Sequence, residues 1–186
     1  LRILRQYVAI PESQTVLIPG SGVDLKQFDF QPIPLKNKIV LMACRLLADK
    51  GVYEFHESAR LLKEKYPDVK FVLVGGIDPD NPTSLTKKEL NEWVEKGDLE
   101  WWGHQSNMSE ILSQATLVVL PSYREGMPKV LLEAQSLGRP IVTTDVPGCR
   151  EAIENGKTGF LAQVRDEHSL VNAIENLEDY VKKLET

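Results

Sequence analysis

Apolar and polar positions along this chain follow two alternating patterns, short apolar runs and stretches with helical spacing. The apolar runs predict strands over residues 15–19, 38–43, 69–74, 99–102, 117–120, 141–144 and 159–162. Helical spacing predicts helices over 52–66, between 86 and 97, over 107–115, 128–137 and 149–154, and from 166 onward. This alternation predicts an α/β fold, a Rossmann-like parallel β-sheet flanked by helices on both faces.

Local signals mark where several of these helices begin and end. Thr86 and Glu89 have the spacing of a capping box, in which each side chain bonds the other residue's backbone N–H. Pro128 lies near the first turn of its helix and Gly138 follows the last turn, which are the usual places for these residues. In the C-terminal helix, one face is predicted to carry Leu170, Ala173, Ile174 and Leu177.

Composition limits the class of protein. Of the 186 residues, 42% are hydrophobic and 26% are charged, which is typical of one globular domain. The net charge is −5 and there is no run of Lys and Arg. A nucleic-acid surface needs a concentrated basic patch, so we expect no nucleic-acid partner.

The two cysteines indicate the cellular compartment, and the first residue indicates whether the chain is part of a longer protein. Cys44 and Cys149 lie far apart and lack metal-ligand spacing, so we expect reduced thiols in a cytoplasmic protein. No apolar run approaches the roughly 20 residues that a membrane-spanning helix needs. The chain does not begin with Met, and we expect it to be a fragment of a longer protein.

Polar residues follow the predicted strands at five loops. These loops cover residues 45–50, 75–76, 103–105, 122–129 and 147–150. The carboxyl ends of parallel strands meet at one edge of a sheet, and ligands bind there where the strand order reverses. We therefore expect one ligand site built from these loops.

The loop after the strand 38–43 carries two cations, Arg45 and Lys50, just before a helix. Arg45 could bind a diphosphate through two parallel hydrogen bonds and Lys50 as a point charge. Fixed cations also stabilise the charge that develops on a departing nucleoside diphosphate, without a metal. Alternatively, Lys50 forms a surface ion pair with Asp49 or Glu54.

The loop after the strand 117–120 leads into a helix that starts near Pro128. Free backbone N–H groups at such a helix start form a site for anions or hydroxyls. Glu125 in the loop could accept hydrogen bonds from sugar hydroxyls. Glu133 lies among apolar residues and needs a partner, for which a ribose diol is suitable. Alternatively, Glu125 is a loop residue exposed to solvent. Glu133 could likewise be exposed on the helix, or form an ion pair with Lys129 four residues earlier.

This segment resembles the Glu-x₇-Glu signature of the retaining glycosyltransferase family 4, whose members have the two-domain GT-B fold. Other motifs occur in the family's order. Residues 18–24 resemble the family's Ile-Pro-Asn-Gly-Val-Asp turn, from which Gly20-Ser21 departs. Residues 45–51 resemble its Gly-Arg-Leu…Lys-Gly stretch, except that Cys44 stands where the family usually has Gly. Val74-Gly75-Gly76, Gly103 and the set Gly148, Glu151, Gly156 and Gly159 match further family positions. The resemblance covers residues 16–165.

The resemblance implies a nucleotide-sugar (donor) binding domain over residues 1–186, the C-terminal half of a GT-B fold. Arg45, Lys50 and Glu125 would be its catalytic residues, the two cations binding the diphosphate and Glu125 the transferred sugar. The donor-binding residues would be Gly103 and His104 at the nucleobase, Gly126, Met127, Pro128 and Lys129 at the sugar and phosphates, and Glu133 at the ribose. The family retains anomeric configuration and needs no metal, and we expect no cofactor.

The resemblance also implies a larger enzyme. An N-terminal domain that binds a glycan or lipid-linked acceptor would be absent from this chain, so we expect the fragment to bind nucleotide with little or no turnover. A UDP-sugar is the expected donor, with a GDP-sugar next. The expected setting is bacterial polysaccharide biosynthesis, in a cytoplasmic protein that associates peripherally with the inner face of the cell membrane.

Two other classes of protein compete with this interpretation. A dinucleotide-binding oxidoreductase would need Gly-x-Gly-x-x-Gly between a strand and a helix, and Gly20-Ser21-Gly22 lacks the third glycine. A nucleotide-sugar epimerase-like domain and a non-catalytic nucleotide-sugar-binding module stay open.

Overall fold

The computed structural model describes residues 11, 13, 16 and 20–184, and the side chains of the last helix as far as Leu177. Six strands follow in chain order: β1 (Ile39–Ala43), β2 (Lys70–Val74), β3 (Glu100–Trp101), β4 (Leu117–Leu120), β5 (Ile141–Thr144) and β6 (Gly159–Ala162). Five α-helices connect or follow them: α1 (Val52–Lys65), α2 (Lys87–Glu95), α3 (Met108–Ser113), α4 (Lys129–Ser136) and α5 (Glu167–Leu184). Short 3₁₀ helices cover Ala48–Lys50 and Arg150–Ala152.

The six strands form one parallel sheet in the order β3-β2-β1-β4-β5-β6. β1 pairs with β2 through Leu41 and Val72, and with β4 through Leu41 and Val118. The strand order reverses between β1 and β4, so the loops that follow these two strands lie side by side at the carboxyl edge. The predicted α/β, Rossmann-like fold is confirmed.

Helices cover both faces of the sheet. α1 packs against α5, and α3 packs against α4. Crossovers between parallel strands are right-handed as a rule, and the strand order reverses at β1, so we infer that the two pairs lie on opposite faces. Strands β1, β4 and β5 are buried throughout, as expected for a sheet covered on both sides.

Most predicted helix ends are confirmed. Thr86 caps α2 in a complete capping box with Glu89. In α5 the predicted apolar face, Leu170 to Leu177, is buried. Pro128 is the N-cap of α4, one residue earlier than its usual first helical position, since its ψ of 114° is extended. The one or two helical turns predicted over 149–154 are a single 3₁₀ turn, Arg150–Ala152. The strand predicted over 15–19 lies outside the described residues except for Val16, which has no regular structure and is exposed.

One charged side chain lies in the core at the opposite, amino-terminal edge of the sheet. Arg139, which connects α4 to β5, is 1% exposed. Its guanidinium donates hydrogen bonds only to backbone carbonyls, those of Gln31, Pro32, Ser113, Ala115 and Leu137. Arg139 therefore ties the segment before β1 to α3 and α4.

Candidate functional site

The loop after β1 is held against the end of β4. Its 3₁₀ turn ends at Gly51, whose φ of 78° is left-handed. A β-carbon at this position would collide with the carbonyl group of Pro121, so the two loops approach more closely than any other residue would permit. This contact places Lys50 next to the loop that follows β4.

Lys50 and Glu125 form an ion pair across these two loops. Nζ of Lys50 lies 2.7 Å from Oε1 of Glu125, and the two side chains are 16% and 14% exposed. Both belong to the predicted catalytic set, and the structure brings them together at the strand-order reversal. The alternative partners of Lys50, Asp49 and Glu54, do not contact its ammonium group; Glu54 instead accepts a hydrogen bond from Tyr123.

The carbonyl of Asp49 reinforces the junction between the two loops. It accepts hydrogen bonds from the hydroxyl of Ser122 at 3.1 Å and from the backbone N–H of Tyr123 at 2.9 Å. Ser122 is fully buried, and its own carbonyl accepts a bond from Thr144 on β5. The chain on either side of the Lys50–Glu125 pair is thus fixed by hydrogen bonds to main-chain carbonyls.

Tyr123 adds a second connection, to α1 and to the start of α5. Its hydroxyl donates to Oε1 of Glu54 at 2.6 Å, and the guanidinium of Arg165 lies 4.6 Å from the ring centre. Burial, together with the bond to Glu54, raises the pKa of Tyr123 to about 12. The hydroxyl therefore stays protonated near neutral pH and acts as a donor. Ser122 and Tyr123 belong to the predicted site loop 122–129, but their hydrogen bonds to Asp49 and Glu54 were not predicted from the sequence.

A third loop supports Glu125 from the side of β5. The carboxylate of Glu151 accepts a hydrogen bond from the backbone N–H of Gly148 at 2.6 Å. Gly148 has a φ of 84°, and a β-carbon there would collide with the carbonyl oxygen of Gly126 and lie 2.8 Å from that of Glu125. The turn around Gly148 therefore determines the path of the backbone at Glu125 and Gly126.

We expect Gly148→Ala to lower the free energy of unfolding and also to weaken ligand binding at this site. The left-handed backbone costs alanine about 1–2 kcal/mol, and the collision with Gly126 adds to that cost. Gly156→Ala is the matched control, since Gly156 has a φ of 81° but open space around the added β-carbon. Urea unfolding of both variants tests this; equal losses of stability would contradict a role for the contact with Gly126.

The N-terminus of α4 lies directly after this loop. Gly126 is exposed, Met127 is half-buried and Pro128 is the N-cap, so the first N–H groups of the helix have no partner within it. Glu133, one turn further on, is 6% exposed, and its carboxylate lies 3.3 Å from the ammonium of Lys129. The ion pair with Lys129, which the sequence left as an alternative for Glu133, is present in the structure; the side chain of Lys129 is 63% exposed.

A pocket of about 250 Å³ lies beside α4, between the loops after β1, β2 and β3. Its lining includes Arg45, His104 and Val130. Arg45 is exposed and makes no side-chain hydrogen bond or ion pair with any described residue, so its guanidinium is available to a ligand. Gly103 has a φ of 70°, and its carbonyl accepts a bond from Gly75, which joins the two loops that form one wall. Gly75 and Gly76, which form one of the five loops predicted to build the site, also line this pocket.

Cys44 also lines the pocket, at the end of β1. Burial raises the pKa of its thiol to about 12, against the opposing influence of Lys50. The thiol is therefore protonated at neutral pH and lacks the reactivity of a thiolate.

Comparison with known proteins identifies the family. A family model described as "Glycosyl transferases group 1" matches residues 24–185, which is most of the chain. The chain belongs to this glycosyltransferase family. Membership favours the glycosyltransferase interpretation over the epimerase-like alternative.

Curated relatives within the family are similar over most of this chain. It is 37% identical over 182 residues to an N,N'-diacetylbacillosaminyl-diphospho-undecaprenol alpha-1,3-N-acetylgalactosaminyltransferase of Campylobacter jejuni, covering 90% of this chain and 46% of the relative. It is 32% identical over 176 residues to a UDP-Gal:alpha-D-GlcNAc-diphosphoundecaprenol alpha-1,3-galactosyltransferase of Escherichia coli, covering 88% and 45%. The chain spans about half the length of these relatives.

Solved structures show the same fold. A glycosyltransferase from Rickettsia africae has a TM-score of 0.76 at 20% identity, covering 97% of this chain and 52% of that one. Anabaena Alr3699/HepE in complex with UDP-glucose has a TM-score of 0.73 at 22% identity, covering 87% and 47%. The expected half of a GT-B fold is confirmed. Among the residues that the structure describes, no helix combines the length and hydrophobicity that crossing a membrane requires.

Proposed function

We propose that this chain is the donor-binding domain of a retaining glycosyltransferase of family 4 and that it binds a UDP-sugar at the junction of the loops after β1 and β4. The observation that carries this proposal is the Lys50–Glu125 pair at the strand-order reversal, beside the N-terminus of α4. Cations, a carboxylate and free N–H groups lie together there. Such a set suits a ligand that has both phosphates and hydroxyls.

Each part of the ligand has a matching part of the site. Lys50 and Arg45 would bind the diphosphate and stabilise the charge that develops as the nucleoside diphosphate departs. The backbone N–H groups of Gly126, Met127 and Lys129, on either side of the N-cap Pro128, would donate further hydrogen bonds to the diphosphate. No metal or other cofactor takes part in the proposed reaction.

The nucleoside would extend along α4. The buried carboxylate of Glu133 would accept hydrogen bonds from the ribose hydroxyls, and the base would enter the pocket lined by His104, beside Gly103. Glu125 would accept hydrogen bonds from the transferred sugar and is not assigned the role of a nucleophile. The backbone positions of these groups follow from the loop contacts described above.

The acceptor requires a further domain. We propose that residues 1–186 form one donor-binding domain and that an N-terminal domain outside this chain binds a lipid-linked or glycan acceptor. Support comes from the relatives, which are about twice as long and whose names include diphospho-undecaprenol. The proposed role is hexosyl transfer in bacterial polysaccharide biosynthesis, by a cytoplasmic protein peripheral to the inner face of the membrane.

Calorimetric titration of the 186-residue chain with UDP, GDP, ADP and UDP-sugars tests the proposal. We expect saturable binding of UDP that exceeds binding of GDP and ADP, and no sugar transfer by the chain alone. Absence of binding by every nucleoside diphosphate would contradict the donor-binding assignment. Transfer of sugar by the chain alone would contradict the need for a second domain.

A further inference from the structure

The Lys50–Glu125 pair has a consequence for which ligands the site prefers. Glu125 is 2.7 Å from the ammonium that would bind the diphosphate, so a phosphate on Lys50 comes close to a carboxylate. Both side chains are largely removed from solvent, so their interactions are screened less than those of surface charges. Like charges at such distances oppose each other.

The strength of this opposition depends on the ligand. The terminal phosphate of UDP is a monoester whose second pKa is about 6, so at neutral pH UDP carries more negative charge than a UDP-sugar, in which that phosphate is esterified. The sugar also has hydroxyl groups that can donate hydrogen bonds to a carboxylate. The negative charge of Glu125 therefore repels bound UDP more strongly than it repels a bound UDP-sugar.

We propose that Glu125 is a specificity-determining residue that makes the site favour the nucleotide sugar over the nucleoside diphosphate. The charge of Glu125 weakens the attraction between Lys50 and the phosphates of UDP. Hydrogen bonds from the sugar hydroxyls to Glu125 offset this loss of affinity only while the sugar is attached to the nucleotide. Loss of the sugar then favours release of UDP. This inference rests on the proposed function and deepens it.

Glu133 provides the contrast within the same site. Its carboxylate is paired with Lys129, on α4, and its proposed partner is the ribose. UDP and UDP-sugars have the same ribose, so Glu133 contributes equally to both ligands. Glu133→Gln is expected to weaken UDP and UDP-sugar binding by the same factor and to leave their ratio unchanged.

The test measures the dissociation constants of UDP, UDP-galactose and UDP-N-acetylgalactosamine for the unchanged chain and for Glu125→Gln. We expect Glu125→Gln to bind UDP about five- to tenfold more tightly, the size of one charge–charge interaction of this kind. The UDP-sugars should gain less or lose affinity, so the preference for them falls. Glu125→Asp keeps the charge and should not bind UDP more tightly than the unchanged chain.

Glu154→Gln is the matched control for net charge. Glu154 is an exposed carboxylate paired with Lys157 near the opposite edge of the sheet, and its replacement should leave all three affinities unchanged. Thermal unfolding confirms that each variant is folded. Unchanged or weaker UDP binding by Glu125→Gln, while Lys50→Ala still abolishes it, would overturn this inference alone. Failure of the unchanged chain to bind UDP would overturn the proposed function and this inference together.

Discussion

Lys50→Ala is expected to weaken UDP binding by about a hundredfold or more, because losing one partner of a desolvated charge pair costs roughly 2–5 kcal/mol. The variant lacks the ammonium that would contact the diphosphate. It also leaves Glu125, whose side chain is 14% exposed, without its cation. The remaining negative charge then opposes the ligand. Calorimetric titration with UDP measures the effect.

Lys157→Ala is the control for this prediction. Lys157 is exposed and paired with Glu154, so its loss changes the net charge by the same amount far from the proposed site. The double variant Lys50→Ala with Glu125→Gln separates the two causes, because it removes the cation and the opposing carboxylate together. We expect it to regain part of the lost affinity. Unchanged affinity in Lys50→Ala would show that the diphosphate assignment is wrong.

Much of the fold follows from local sequence patterns. β4 is a run of four apolar residues between Thr116 and Pro121. Such strands are recognisable because a strand buried on both faces excludes polar side chains. The start of α2 is recognisable because a capping box needs only residues three apart. The alternation of these elements leads to a parallel sheet through the general handedness of their connections.

The candidate site depends on contacts between distant residues, which such patterns do not reveal. Lys50 and Glu125 are 75 positions apart. Their contact requires β1 and β4 to be neighbours, and it also requires the close approach of Gly51 to Pro121. The local partners suggested for Lys50 were wrong, whereas the local partner suggested for Glu133, Lys129, is present because both lie on one helix. The roles of these residues toward a ligand stay predictions.

Arg139 shows a different limit of sequence patterns. Gly138-Arg139-Pro140 has the composition of an exposed turn, and arginine is mostly found at the surface. The structure buries it because five backbone carbonyls from three separate segments converge on its guanidinium. Carbonyls at the ends of α3 and α4 have no partner within their helices, and a planar group with five N–H donors can satisfy several at once.

We expect Arg139→Ala to lower the free energy of unfolding by about 3–5 kcal/mol, since it leaves a cavity and several buried carbonyls without donors. The effect is large because the carbonyls are buried. At the protein surface, water molecules would donate hydrogen bonds to the same carbonyls once the guanidinium was removed. Urea denaturation with fluorescence detection of the tryptophans measures it.

Arg60→Ala is the control for the loss of arginine. Arg60 lies on the exposed side of α1 and pairs with Glu57, so its replacement should change stability by less than about 1 kcal/mol. Arg139→Met separates the two causes of the larger loss, because methionine fills much of the volume but donates no hydrogen bond. If the carbonyls dominate, Arg139→Met will be nearly as unstable as Arg139→Ala. If Arg139→Ala lowers the free energy of unfolding no more than Arg60→Ala does, then hydrogen bonds from the guanidinium to these carbonyls do not stabilise the fold. The segment before β1 would then be held in place by its other contacts.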